Sequence, residues 1–199
     1  MINPFDPGYY TETDLRDAGL SKIGKNVKIA KNCTIIGLER IEIGSNVRID
    51  GFTSIVAAGT GFIEIGSFVH IGSHCYLAAG DGIVLGDFSG LSQGVHIYSR
   101  TDDYMGGHLT NPTVPEKYKS VRRGKVVLRK HVIVGSQTVI LPKVDIGEGC
   151  SVGALSLVTK SLGSWGVYFG IPVKRLKGRS KTVLDLEQQL LHELGRSGN

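Results

Sequence analysis

An all-β chain wound as a parallel β-helix of about six coils is what this 199-residue sequence predicts, and three observations carry the prediction. Between 128 and 158 an aliphatic residue recurs every six positions, at Leu128, Val134, Ile140, Ile146, Val152 and Val158. Four places after each of the first five comes a second inward candidate, at Val132, Thr138, Val144, Cys150 and Ser156. The chain also holds 28 glycines, about twice the usual share, and several directly follow the aliphatic position, as Gly135, Gly147 and Gly153 do. A six-residue period fits neither an amphipathic helix nor a two-residue strand alternation. It fits a hexapeptide repeat in which each unit supplies one short flat strand and one corner.

The elements follow in order. Residues 1–21 form a lead-in, with a short helix over 11–18 closed by Gly19, placed to cover the open first coil. The beat begins at Ile23, Ile29 and Ile35, with Val27 and Cys33 between. It restarts at Ile43, Ile49 and Ile55, then at Ile65, Ile71 and Leu77, then at Leu85, Leu91 and Ile97. Three hexapeptides per coil make a triangular prism, with each insertion after the third face. The solenoid therefore spans 22–163, interrupted by an excursion over 98–127 that holds Pro112, Pro115 and the pair Gly106-Gly107. A stretch of that length without period is a projecting arm, and such loops usually carry function. Residues 164–199 form a tail, whose Thr182 and Asp185 are spaced to cap a helix. Val183, Leu186, Leu190, Leu191 and Leu194 give that helix one apolar stripe, suited to a lid or an oligomer contact.

Composition narrows the function classes. No apolar run reaches the roughly 20 residues of a membrane helix, and the first residues lack a basic start followed by an apolar core. Cytoplasmic residence is the expectation. Cys33, Cys75 and Cys150 all fall at the fifth, inward slot of a repeat, so they read as small buried hydrophobes and not as nucleophiles. Net charge is +5. Arg122, Arg123, Lys125, Arg129 and Lys130 form one basic group, and Lys174, Arg175, Lys177, Arg179 and Lys181 another. Neither is interleaved with aromatics as in a nucleic-acid platform. An anionic small molecule is the better-matched partner, above all for the second group.

The segment HVIVGSQTVILPKVDIGEGCSVGALSLVTKSL and the tail GIPVKRLKG resemble the hexapeptide acyltransferases. The most similar branch is that of the galactoside and maltose acetyltransferases and the sugar acetyltransferases of surface-polysaccharide pathways. The resemblance implies a left-handed coil, a homotrimer with active sites at subunit boundaries, and acetyl-CoA as co-substrate along an outer groove, with no metal. Carried over residue by residue, it implies that Ser136 and Ala154 offer backbone N–H groups to the acetyl end and the pantetheine, with Gly135 and Gly153 keeping the wall beside them low. It implies that Thr159, Lys160, Lys174 and Lys177 approach the pantetheine or the nucleotide phosphates.

One position departs from that branch. The loop histidine that serves the galactoside enzymes falls on Asp102 here. At an ordinary carboxyl pKa of about 4 an aspartate is a weak base toward a hydroxyl. Asp103 and burial could raise it, His108 could take the role, or the acceptor could be an amine, which needs less help once neutral. The catalytic candidates are therefore Asp102, Asp103 and His108, and the acceptor expected is an amino sugar, free or nucleotide-linked. The competing functions are galactoside-type O-acetyl transfer, a non-catalytic scaffold, and a zinc hydratase. The last needs histidine ligands, and the chain lacks that family's histidine spacing.

Overall fold

The computed structural model describes residue 3 and residues 5–197, and for 196–197 the backbone only; Met1, Ile2 and Pro4 of the lead-in lie outside the described residues. Three parallel sheets run the length of a prism, six complete coils and the start of a seventh. The first face stacks Lys22–Ile23, Ile41–Ile43, Ile63–Ile65, Ile83–Leu85, Val126–Leu128 and Asp145–Ile146. The second stacks Val27–Ile29 through Ser151–Val152 and continues into a hairpin, Gly166–Gly170 with Val173–Gly178. The third stacks Thr34–Ile36 through Leu157–Val158. Among the described residues no helix is long and apolar enough to cross a membrane.

The register explains the six-residue beat. On the third face Ile55, Leu77, Ile97 and Ile140 lie directly over one another, each fully buried. On the first, Ile43, Ile65, Leu85, Leu128 and Ile146 do the same. Full burial of each such side chain contributes roughly 1.5–3 kcal/mol, and every coil repeats the gain using the coil beneath it.

The fifth slot of the repeat has its own chemistry. Thr53 Oγ1 donates to the Gly72 carbonyl and Thr138 Oγ1 to that of Gly153, each at 3.0 Å. Cys33, Cys75 and Cys150 point their thiols at corner carbonyls in the same way. A small side chain with a donor satisfies a buried carbonyl of the next coil. Burial pushes the Cys75 thiol up to about 11 and raises those of Cys33 and Cys150, which suits structure and disfavours a nucleophilic thiolate.

Corners are built from left-handed residues, and stacking offsets their cost of about 1–2 kcal/mol each. At the edge between faces one and two, Asn26 Nδ2 donates to Asn46 Oδ1 at 3.0 Å, and both have positive φ. Above them Phe68 and Phe88 stack with ring centres 4.7 Å apart, Phe88 and His131 at 5.2 Å. These separations match the spacing between neighbouring strands, so like side chains one coil apart meet face to face.

A helix covers the N-terminal end, and a second lies along the side of coils four and five and not over the C-terminal end. In α1 (Glu12–Asp17) Thr11 and Asp14 form a reciprocal capping box, and Leu15 is buried against the first coil. The other helix, α2 (Thr182–Ser197), starts differently from the T-x-x-D expectation. Thr182 is already helical, and it is the Ser180 hydroxyl that accepts the Thr182 N–H, at 3.2 Å. Its leucines are also less buried than a lid requires: Leu186 is 56% and Leu194 46% exposed. What anchors it is Glu187, buried, bonded to Lys130 Nζ at 2.5 Å and His131 Nε2 at 2.8 Å.

Candidate active site

The fold places the candidate residues on two different edges of the prism. The edge between faces two and three carries, coil by coil, Ser92-Gln93-Gly94, Gly135-Ser136-Gln137 and Gly153-Ala154-Leu155. Gln137 and Leu155 are left-handed, so the residue before each sits at the outside of a tight turn. There the N–H groups of Ser136 and Ala154 find no acceptor among the described residues, whereas those of Gly135, Gly153 and Leu155 do. Two preset donors on neighbouring coils fit the carbonyl of an acyl thioester. The neighbouring glycines have a packing reason as well. A Cβ on Gly135 would come 2.4 Å from the Ala154 nitrogen, and one on Gly153 2.6 Å from the Phe169 ring.

At the C-terminal end of this edge lies the hairpin 166–178, in which Phe169 pairs with Lys174 and Val167 with Lys177. Gly170 N–H reaches Ser156 Oγ at 3.2 Å, fixing the hairpin to the sixth coil. Lys160, Lys174 and Lys177 are exposed, and none makes an ion pair among the described residues. Thr159, half-buried, directly follows the last strand of the third face. The rest of the second basic group has other duties. Arg179 donates to the carbonyls of His131, Gly149 and Cys150, and Lys181 lies over Trp165. In the first group, Arg129 is tied to Asp145 and Lys130 to Glu187. Lys174, Arg175 and Lys177 on the hairpin are exposed and in no ion pair among the described residues, as are Arg122 and Lys125 of the first group, and such heads meet phosphates as point charges.

The arm leaves from the opposite edge, between faces three and one. Tyr98 still belongs to the third face, and Val126 and Val127 already belong to the first. Between them Arg100–Thr101 pairs antiparallel with Arg122–Arg123 as a stem, and Arg100 clamps that stem to Asp81. Beyond the stem Asp102 Oδ2 accepts the Asn111 N–H at 3.2 Å. Asp103 accepts the Met105 N–H at 2.8 Å and bonds His108 Nδ1 at 3.0 Å. The Met105 N–H, then His108, hold the Asp103 carboxyl below the usual carboxylate range. Asp103 thus stays anionic and orients His108, whose ring is half exposed.

Asp102, Asp103 and His108 share the arm, while Ser136, Ala154 and the lysines share the other edge. No hydrogen bond or ion pair links the two sets among the described residues. Sequence reasoning missed Glu187 and His131. A signal existed for Glu187, since it falls four residues after Val183 on the apolar stripe itself.

No protein-family model matches the chain. An Escherichia coli dTDP-4-amino-4,6-dideoxy-D-glucose acyltransferase is 37% identical over 179 residues, 90% of this chain and 93% of that protein. The crystal structure of AntD, an N-acyltransferase from Bacillus cereus, in complex with dTDP and 3-hydroxybutyryl-CoA, superimposes with a TM-score of 0.91. It is 39% identical and covers 94% of this chain and 98% of its own. AntD has also been solved with substitutions at a serine and at an aspartate ten positions further along. Two serine variants hold dTDP-4-amino-4,6-dideoxyglucose together with coenzyme A.

Proposed function

The chain belongs to the dTDP-4-amino-4,6-dideoxyglucose acyltransferase group of the hexapeptide-repeat acyltransferases, and from that premise we propose that it transfers an acetyl group from acetyl-CoA to the amine of a nucleotide-linked amino sugar. One observation carries the reading. Ser92 and Asp102 are the one serine–aspartate pair spaced ten apart in this sequence, the spacing of the residues varied in the Bacillus cereus enzyme whose complexes include the amino sugar. An aspartate where the galactoside branch has histidine suits an amine acceptor, which attacks without a strong base once neutral.

In the proposed step the sugar nitrogen attacks the thioester carbon. The C–N bond forms as the C–S bond breaks, the amine proton passes to Asp102, and the sulfur leaves as thiolate and is reprotonated. The N–H groups of Ser136 and Ala154 hold the oxygen that becomes anionic on the way. Thr159 and Lys160 border the pantetheine, and Lys174 and Lys177 meet the phosphates. Asp103 keeps His108 oriented beside the reacting amine. That His108–Asp103 pair is also what favours a second reading, O-acetyl transfer with imidazole as base.

The two edges join only between molecules. The outer side of the third face lies between them: Thr34, Ser54, Tyr76, His96, Val139 and Leu157 form one outward column, and Ile36 beside it is 52% exposed. A ring of three chains that buries these faces sets the arm of one beside the Ser136 edge of the next, and we take the enzyme to be a homotrimer. The test is mass spectrometry of a reaction containing acetyl-CoA and dTDP-4-amino-4,6-dideoxyglucose. The reading expects one amide-linked acetyl group on the sugar and none on the protein. An acetylated protein, or an unmodified sugar, would refute direct transfer to the amine.

A further inference from the structure

The outward column of the second face has one gap. Coil by coil it runs Lys28, Arg48, His70, Gly90, Ile133, Ser151 and Val167, and only Gly90 contributes no side chain. Glycine inside a strand costs conformational entropy, and it often marks a bulge or the close approach of another group. Gly90 is not a bulge, since it pairs in register with His70 on one side and Ile133 on the other. Nor does it have a left-handed φ. A Cβ built there would meet nothing nearer than the His70 carbonyl oxygen, at 4.0 Å, whereas Gly86 and Gly135 are crowded by the next coil. Nothing within its own chain requires a glycine at this position.

What Gly90 leaves is the floor of a groove of about 340 Å³ between the second face and α2. Phe88, Ile133, Val183, Leu186 and Leu190 line it, and the bonds from Glu187 to Lys130 and His131 hold α2 at that standoff. The polar groups of the groove are engaged already: Glu187 bonds His131, and Arg179 donates to three carbonyls. Its apolar walls are not covered, with Ile133 47% exposed. The groove therefore offers apolar contact to a partner, and little charge.

The chain itself supplies a matching segment. Tyr104 and Met105, at the tip of the arm, are 89% and 92% exposed, and both residue types are enriched at protein interfaces. Their arm leaves between faces three and one, so the third face separates them from the edge beside their own groove. In a ring of three, however, the arm of one chain lies beside the Ser92 and Ser136 edge of the next, and there the spacings coincide. Gly90 precedes Ser92 by two strand residues, roughly 7 Å. Tyr104 follows Asp102 by two, which spans up to about the same distance. An Asp102 brought to the neighbour's Ser92 edge carries Tyr104 and Met105 onto the neighbour's second face at coil four, where Gly90 lies.

Resting on the amino-sugar reading above and its ring of three, we propose that the groove floored by Gly90 receives Tyr104 and Met105 of the neighbouring chain. The contact holds the arm, and Asp102 with it, over the acyl edge. Gly90 and α2 thus act as positioning elements that touch no substrate.

Crosslinking tests the contact. In a Cys33→Ser background, where the remaining thiols Cys75 and Cys150 are buried, Met105→Cys and Leu190→Cys are placed together in the full-length chain and treated with a short bismaleimide. Denaturing gels should show covalent trimers, and each cysteine alone should give monomers. Gly90→Leu adds a second readout, because it fills the seat without crowding its own chain. Its Tm and coenzyme A affinity should stay at wild-type values, while kcat with the amino-sugar nucleotide falls by about 10- to 100-fold, as expected when a reacting group is displaced by up to 1 Å. Two results would overturn the contact and leave the acyltransferase reading standing: no linked chains in a trimer that still acylates the amino sugar, or a wild-type kcat for Gly90→Leu. An active monomer would overturn the contact and the ring together. Linked trimers that leave the amino sugar unmodified would support the contact and refute the reading.

Discussion

If arm and acyl edge meet only between neighbouring chains, two inactive proteins should restore each other. Asp102→Asn keeps the shape of the arm but removes the proton acceptor, and loss of a positioned base costs about 10²–10⁴-fold. Ala154→Trp places an indole on an exposed corner, where it fills the acyl seat without entering the core. Displacing a reacting group by even 1 Å can cost about 10²-fold, so each variant alone should fall to about one percent of wild type or less. In a closed ring of three, every mixed trimer contains one junction, and only one, where an intact arm faces an intact edge. Trimers carrying both variants, co-expressed with two different tags and purified through both, should therefore show about one third of wild-type activity. The assay is release of coenzyme A thiol with the amino-sugar nucleotide as acceptor. Mixed trimers no more active than their parents would refute the reasoning, because the site would then lie within one chain.

The remaining predictions use single variants. In the Asp102→Asn homotrimer, kcat should fall while acetyl-CoA affinity stays within about twofold, since transition-state and ground-state contacts separate in this way; stopped-flow binding together with steady-state rates checks both. Lys174→Ala and Lys177→Ala should each raise the acetyl-CoA KM about three- to tenfold, with a smaller effect at high salt, and leave the acceptor KM unchanged. Glu187→Ala strands His131 and Lys130 and should cost about 2–3 kcal/mol, lowering Tm by about 4–12 °C for a chain of this size. Acid should act on the same helix. Burial raises the Glu187 carboxyl, but bonds from Lys130 and His131 outweigh it and leave the pKa lowered. A depressed folded pKa means the contribution is complete above the unfolded value near 4.3 and is lost as pH falls through the lower folded value. The wild-type Tm should therefore drop more steeply below pH 4 than that of Glu187→Ala.

The solenoid was legible because its information is local. Each hexapeptide specifies one strand and one corner, and Ile55, Leu77 and Ile97 meet merely by recurring at similar intervals. The insertions do not disturb this, since each leaves and re-enters at the same edge. Positions such as Phe52 and His74, or Phe68 and Phe88, lie a coil apart, so their stacking was in principle readable from the same spacing. Glu187 was not readable as an anchor, because His131 is 56 residues away and a carboxylate on an apolar stripe gives no sign of its partner. The T-x-x-D pair pointed to the right helix but to the wrong capping atom, since Ser180 competes from two residues upstream. For the site, residue types at Asp102, Ser136, Ala154 and Lys174 suggested acyl transfer, and the insertion of the arm after a third face already set it on a different edge from Ser136. What spacing does not show is how the two edges meet, which on the proposed reading takes a second copy of the chain.

The central claim is that a nitrogen, not an oxygen, is acylated, and that Asp102 suffices as base for that reason. A matched pair tests it most directly: dTDP-4-amino-4,6-dideoxyglucose and the same nucleotide sugar bearing a 4-hydroxyl, each at saturation with acetyl-CoA. Turnover of the amine at least about 10³-fold faster than the alcohol is the result expected of a carboxylate base. Comparable turnover of the alcohol would contradict the account and would hand the chemistry to His108 and Asp103.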